Sequence, residues 1–205
     1  MTTLAVTQAA WAASVEGKQG LMALGAEAPV FSLPNVMNGQ AVSLDGFKGK
    51  KALLVMVLCR HCPYVQHVKQ GVAELARDYA AKDIGIVAIS ANDPAAYPDD
   101  RPESLKEMAR EAGFTFPFLF DETQETARAL TAVATPDFFL FNQDRKLVYR
   151  GQLDDSRPDN GKPVTGKDLR AAIDAVFEDK PVPTPIRPSF GCSIKWKPGR
   201  ERGST

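Results

Sequence analysis

Hydrophobic and polar positions fall into short blocks whose period changes along the chain. From residue 28 the pattern is extended pieces broken by turns: Val30-Phe31-Ser32-Leu33 runs into Pro34, Asn38-Gly39 is a turn signal, and Ala41-Val42-Ser43-Leu44 comes next. An unbroken apolar run over residues 52–58 has the length of a fully buried strand and is too short for a helix. Behind it, Val65, Val68, Val72, Leu75, Ala76 and Tyr79 recur at helical spacing, which predicts an amphipathic helix over residues 62–81. Residues 84–91 read as a second buried strand, 103–112 as a helix closed by Gly113, 116–120 as a short strand and 122–132 as another helix. Residues 138–141 and 146–150 form a strand pair across the turn at 142–145. Thr165, with Asp168 three residues on, marks the start of a last helix, and Leu169, Ile173, Val176 and Phe177 make its buried stripe.

This order predicts an α/β domain with a mixed central sheet over residues 23–180. Beyond it the composition changes. Pro181, Pro183, Pro185, Pro188 and Pro198 forbid a helix and favour an extended arm over residues 181–205. Ahead of the domain, residues 1–22 are Ala-rich with no Lys or Arg before Lys18, which does not make a secretory signal; they read as a dispensable tail or an over-extended start.

Composition narrows the function classes. Lys+Arg and Asp+Glu balance at 25 each, so no overall field gathers nucleic acid or an anionic membrane, and neither is expected as a partner. The arm carries five Lys/Arg against one Glu, which reads as a solvated tail laid along the domain. The longest apolar run, eight residues, is well short of the ~18 that span a bilayer. Three cysteines are too few for a secreted disulfide scaffold and fit a reducing, cytoplasmic setting.

Two of those cysteines carry the chemistry. Cys59-Arg60-His61-Cys62 comes directly after the first buried strand, and Pro63 suits the first turn of the helix behind it. This context puts Cys59 at the helix N-terminus, where free amides and the helix dipole favour a thiolate, with Cys62 close enough to form a disulfide. Two plainer readings stand beside it. The pair could be half of a zinc site, but only Cys192, His61 and His67 remain to complete four ligands, and no metal is expected. Both cysteines could also be inert core residues. His61, if charged, would stabilise the Cys59 thiolate and make the disulfide more oxidising, with Arg60 a second tuning charge.

At these residues the chain resembles thioredoxin-fold proteins, and in detail the redoxin (AhpC/TSA-type, peroxiredoxin-like) branch. The matching pieces are Ala28-Pro29-x-Phe31-x-Leu33, residues 44–50, Cys59-x-His61-Cys62-Pro63-Tyr64-Val65, Asn92-Asp93, Pro98-Asp99-Asp100, Thr135-Pro136, Tyr149-Arg150-Gly151 with Asp154-Asp155, and Gly191-Cys192-Ser193-Ile194-Lys195-Trp196. The resemblance covers about residues 26–196. It implies a central mixed sheet flanked by helices with an N-terminal β extension, a nucleophilic Cys59 and a resolving Cys62. It also implies a cis Pro136 facing them, with the Thr135 backbone free to pair with an extended substrate. The activity it implies is cofactor-free thiol–disulfide exchange with protein or small-molecule disulfides and a dithiol reductant, by a monomer or weak dimer.

The chain departs from its relatives at three positions. Peroxiredoxins carry a hydroxyl three residues before the reactive Cys and a Pro seven before it, where this chain has Met56 and Ala52. Thioredoxins carry a buried acid six residues before the first Cys, where this chain has Leu53. The first departure disfavours the alternative of a thiol peroxidase using Cys59. The second leaves the proton acceptor for Cys62 unassigned, with water or a carboxylate such as Asp93 or Asp121 as candidates. A further alternative is a redox-switched binding protein without turnover. Cys192 reads either as a buried small residue or as a secondary thiol, carried on an arm whose Ile194 and Trp196 anchor it to the domain.

Overall fold

A computed structural model describes residues 20–200. The predicted tail, apart from its last three residues, and the end of the arm lie outside the described residues. The elements in chain order are β1 (Ser32–Pro34), β2 (Ala41–Ser43), β3 (Ala52–Val57), α1 (Pro63–Asp78), β4 (Ile84–Ser90), α2 (Pro102–Ala112), β5 (Phe118–Phe120), α3 (Glu125–Ala129), β6 (Ala134–Thr135), β7 (Asp137–Asn142), β8 (Leu147–Gly151), α4 (Lys167–Phe177) and β9 (Cys192–Ser193). Strands β5-β4-β3-β7-β8 make the central sheet, with β3, β4 and β5 parallel and β7 and β8 antiparallel to their neighbours. The mixed sheet read from the sequence is therefore present, with β1 and β2 as the antiparallel N-terminal extension. No helix among the described residues is long and apolar enough to cross a membrane.

Strand β3 is continuous in apolar residues because both faces are covered. Leu54, Met56 and Leu58 pack on one side against Val65, Val68, Val72 and Leu75 of α1 and against Leu105, Met108, Leu169 and Ile173. Leu53, Val55 and Val57 pack on the other against Phe31, Val87, Ile89, Leu130 and Ile194. Each fully buried aliphatic side chain is worth roughly 1.5–3 kcal/mol, so β3 is held firmly enough to fix the position of the loop that leaves its C-terminal end. The amide of Leu58 still bonds the Ile89 carbonyl at 3.0 Å, and the chain leaves the sheet only at Cys59.

Two helices depart from the sequence pattern through contacts distant in sequence. The helix expected over 122–132 shrinks to Glu125–Ala129. Gln124 is left-handed (φ 62°) and its buried amide side chain bonds the carbonyls of Ala91 and Lys195, while Thr131 (φ 53°) turns the chain out at the other end. The helix expected to start at Thr165 instead has Gly166 (φ 68°) as its first cap. Asp154 supplies the acceptor, taking the amides of Thr165 and Gly166 at 2.7 and 2.6 Å.

Through residue 200 the arm is not a solvated tail. The Arg187 carbonyl accepts from the Gln152 amide, and Ser189 donates to either Asp137 or the Gly151 carbonyl, both at 2.6 Å. Ile194 is buried beneath the sheet and Trp196 packs at the same edge. The Lys195 amide bonds Asn92 and the Lys197 amide bonds Gln124. Between these two sets of anchors, β9 crosses β6 as an antiparallel pair.

Candidate active site

The end of β3, the start of α1 and the β6–β7 turn meet at one point. Helix α1 begins at Pro63, so Cys62 is its cap residue and residues 59–61 form the loop before it. The expectation that Cys59 holds the helix N-terminus is thus corrected by one turn, because Pro63 sets the first helical φ and favours an extended residue before it. The Thr135–Pro136 bond is cis. Thr135 touches both sulfurs: its Oγ1 lies 3.2 Å from Cys59 Sγ, and its carbonyl accepts from Cys62 Sγ at 3.2 Å. Cys59, Cys62 and Thr135 are each at most 1% exposed.

The strand on the other side of Thr135 belongs to the chain itself. In the β6–β9 pair Thr135 stands opposite Cys192 and Ala134 opposite Ser193. Directly opposed residues of an antiparallel pair point to the same face. Cys192 therefore shares the face on which the Thr135 hydroxyl meets Cys59. Gly191 makes this crossing feasible: a Cβ there would overlap the Thr135 carbonyl.

These surroundings shift the three thiols in different directions. The Cys62 thiol is pushed down to about 4 by the neighbouring Cys59 thiol, then by the Cys192 thiol and the amides of Val65 and Cys192, against the cost of burial. Val65 approaches without closing a capping hydrogen bond. Cys59 is raised, first by its bond to Cys62, then by burial and by the Asp100 charge, with the Thr135 hydroxyl acting the other way. Cys192 is pushed up to about 11 by burial and by the Cys62 sulfur. Cys62 is thus lowered and Cys59 raised, the reverse of the order to which the sequence pattern had pointed.

Asp100 is the functional neighbour that sequence reasoning missed. Fully buried, it accepts four hydrogen bonds: from the Arg60 and His61 amides at 2.6 and 3.1 Å, from His61 Nδ1 at 2.5 Å and from Asn92 at 2.9 Å. It thereby fixes the loop between the cysteines. His61 stacks on Tyr97 and commits its Nδ1 to Asp100 rather than to a sulfur. The Arg60 guanidinium turns away to the Ser104 carbonyl and Glu107 on α2. Of the two expected tuning groups, His61 sits in the sulfur cluster and the Arg60 charge does not. Asp93 and Asp121 are spent on the amides of Ala95 and Ala127. His67 bonds Ser156. The ligand atoms of Cys59, His61 and Asp100 lie within 4.8 Å of one another, the one such grouping among the described residues. With both Asp100 oxygens already filled by donors, it reads as a hydrogen-bond network rather than a metal cradle. Ala52 and Met56 are buried in β3 and bring no hydroxyl to Cys59.

A family model described as Redoxin matches residues 23–169. An uncharacterized conserved protein from Geobacillus kaustophilus is 52% identical, with a TM-score of 0.85 over 87% of this chain and 95% of that one. A hypothetical protein from Sinorhizobium meliloti is 44% identical, with a TM-score of 0.85 over 88% and 98%. The thioredoxin domain of a thiol-disulfide oxidoreductase from Bacteroides vulgatus shares the fold at 20% identity, with a TM-score of 0.56 over 73% and 96%. No curated protein matches at a significant level.

Proposed function

The chain belongs to the redoxin family and has a thioredoxin-like fold, and from that premise we propose that it is a thiol–disulfide oxidoreductase working through Cys59 and Cys62. The observation that carries the reading is the convergence of both sulfurs on Thr135, 3.2 Å from each, at an edge that already binds an extended strand. An incoming disulfide segment takes that edge once β9 lifts away. Cys62 then loses the two donors of Cys192. The shared proton passes to Cys62, which donates it to the Thr135 carbonyl, and the charge falls to Cys59 under the Thr135 hydroxyl. The Cys59 thiolate attacks one sulfur of the substrate and expels the other as a thiolate. Cys62 next attacks Cys59 in the mixed disulfide, releasing the second substrate thiol and leaving Cys59–Cys62 oxidised. The proton on Cys62 passes to the departing substrate sulfur, so this step uses no buried acid at the Leu53 position.

The test is reduction of a small disulfide-bonded protein by the full chain and by Cys59→Ser and Cys62→Ser variants. Cys59→Ser should lose turnover, and Cys62→Ser should accumulate a mixed disulfide on Cys59. Full turnover by Cys59→Ser, or faster consumption of hydroperoxide than of disulfide by the unmodified chain, would overturn the reading.

A further inference from the structure

Thiol–disulfide exchange through this dithiol ends with a disulfide between two sulfurs that solvent does not reach. Cys59 and Cys62 are both 0% exposed, whereas Cys192 is half-buried. Cys192 is no isolated cysteine. It faces the dithiol from a paired strand, held by Ser189 on one side and by Ile194 and the Lys195 amide on the other. The same Thr135 that touches Cys59 and Cys62 is its cross-strand partner. Cys62, bonded to the Thr135 carbonyl, and Cys192, paired with Thr135 across the strands, meet this residue from two sides.

We infer that Cys192 is a third exchange thiol, which moves the disulfide from Cys59–Cys62 to Cys62–Cys192 and so brings it to the surface. The inference rests on the reading of Cys59 and Cys62 as an exchange dithiol. The Cys192 thiol loses its proton and its sulfur attacks Cys62. The Cys62–Cys192 bond forms as the Cys59–Cys62 bond breaks, and the electron pair leaves on Cys59, which takes up a proton. One disulfide replaces another, so no outside oxidant is involved. Once Cys62 is in a disulfide it carries no charge, and one of the influences that hold Cys192 protonated is gone. Productive attack needs the sulfurs to close to ~2.05 Å within Cα separations of about 4.4–6.8 Å. The cross-strand pairing holds Cys192 beside the residue whose carbonyl bonds the Cys62 sulfur. An external dithiol then attacks the half-buried Cys192 sulfur. It leaves as a disulfide and restores both thiols in the chain. While Cys62–Cys192 persists, β9 is covalently fastened over the Thr135 edge, so a new substrate enters only after this reduction.

The experiment is disulfide mapping on the full chain. The reduced protein is oxidised with oxidised glutathione, quenched in acid, alkylated and mapped by mass spectrometry, in parallel with Cys59→Ser and Cys192→Ser. Unmodified protein should contain Cys62–Cys192, Cys59→Ser should form the same link, and Cys192→Ser should stop at Cys59–Cys62. Reduction of the oxidised protein by dithiothreitol should be at least tenfold slower for Cys192→Ser. Oxidation of the unmodified chain to Cys59–Cys62 alone, with no Cys62–Cys192 in Cys59→Ser, would overturn the relay and leave the exchange reading standing. Absence of any intramolecular disulfide in all three chains would overturn both.

Discussion

Replacing Gly191 with Ala tests whether β9 is the gate of the dithiol. A Cβ at this position would overlap the Thr135 carbonyl and stand 3.1 Å from Pro136 Cδ, so it meets backbone that cannot rotate away. Overpacking of this kind costs about 1–3 kcal/mol, and ~1.4 kcal/mol is tenfold in an equilibrium, so the docked form should lose roughly 5- to 150-fold against the lifted one. If lifting is fast, labelling of buried thiols scales with the open population. Cys59 and Cys62 should therefore react with a neutral thiol reagent faster by that factor, read as peptide-resolved alkylation under pseudo-first-order conditions. Gly46→Ala is the control, because a Cβ there meets nothing within 4 Å. Unchanged labelling of both cysteines in Gly191→Ala, with labelling of Cys192 also unchanged, would refute the idea that this crossing controls access. An increase matched by an equal loss of global stability would refute it as well.

The lowered Cys62 thiol gives the reduced protein a pH signature. Its folded value falls from an ordinary 9.0 to about 4, so its contribution to stability grows from pH 4 upward, is complete above 9 and is lost as pH falls through about 4. Thermal unfolding of reduced protein between pH 4 and 8 should show this rise, and Cys62→Ala should flatten it; identical slopes would contradict the assignment. Asp100→Asn keeps an acceptor for the loop amides but removes the charge that helps to raise Cys59. In a Cys62→Ser background, the pH profile of Cys59 alkylation should then move to lower pH, and superimposable profiles would exclude Asp100 as a tuning group.

Much of the fold is legible because burial is periodic. The run over 52–58 and the stripe Val65, Val68, Val72, Leu75, Ala76 and Tyr79 are as buried as their pattern requires. The thiol pair at a strand-to-helix junction is legible for the same reason. Partners distant in sequence leave no mark on that pattern. Asp100 enters the site through a short 3-10 turn about forty residues beyond Cys59, and nothing in Pro98-Asp99-Asp100 marks it as the acceptor for the Cys59–Cys62 loop. Gln124 breaks the front of α3 because its side chain is wanted by Ala91 and by the arm, and local propensity does not register that demand. Gly191 looks like any loop glycine until Thr135 is set beside it.

The closure of the central sheet bears on self-association. The outer edge of β5 is taken by Asn35 and Val36, and that of β8 by Gly25 and Ala26 at one end and Arg187 at the other. Unpaired edges are where foreign strands add, and here the two natural points of addition are capped by the chain's own flanking segments. The separate β6–β9 pair offers another edge at β6, where β9 already lies. A guest strand that displaced β9 would meet sulfur there, outside the central sheet whose own edges resist indiscriminate association.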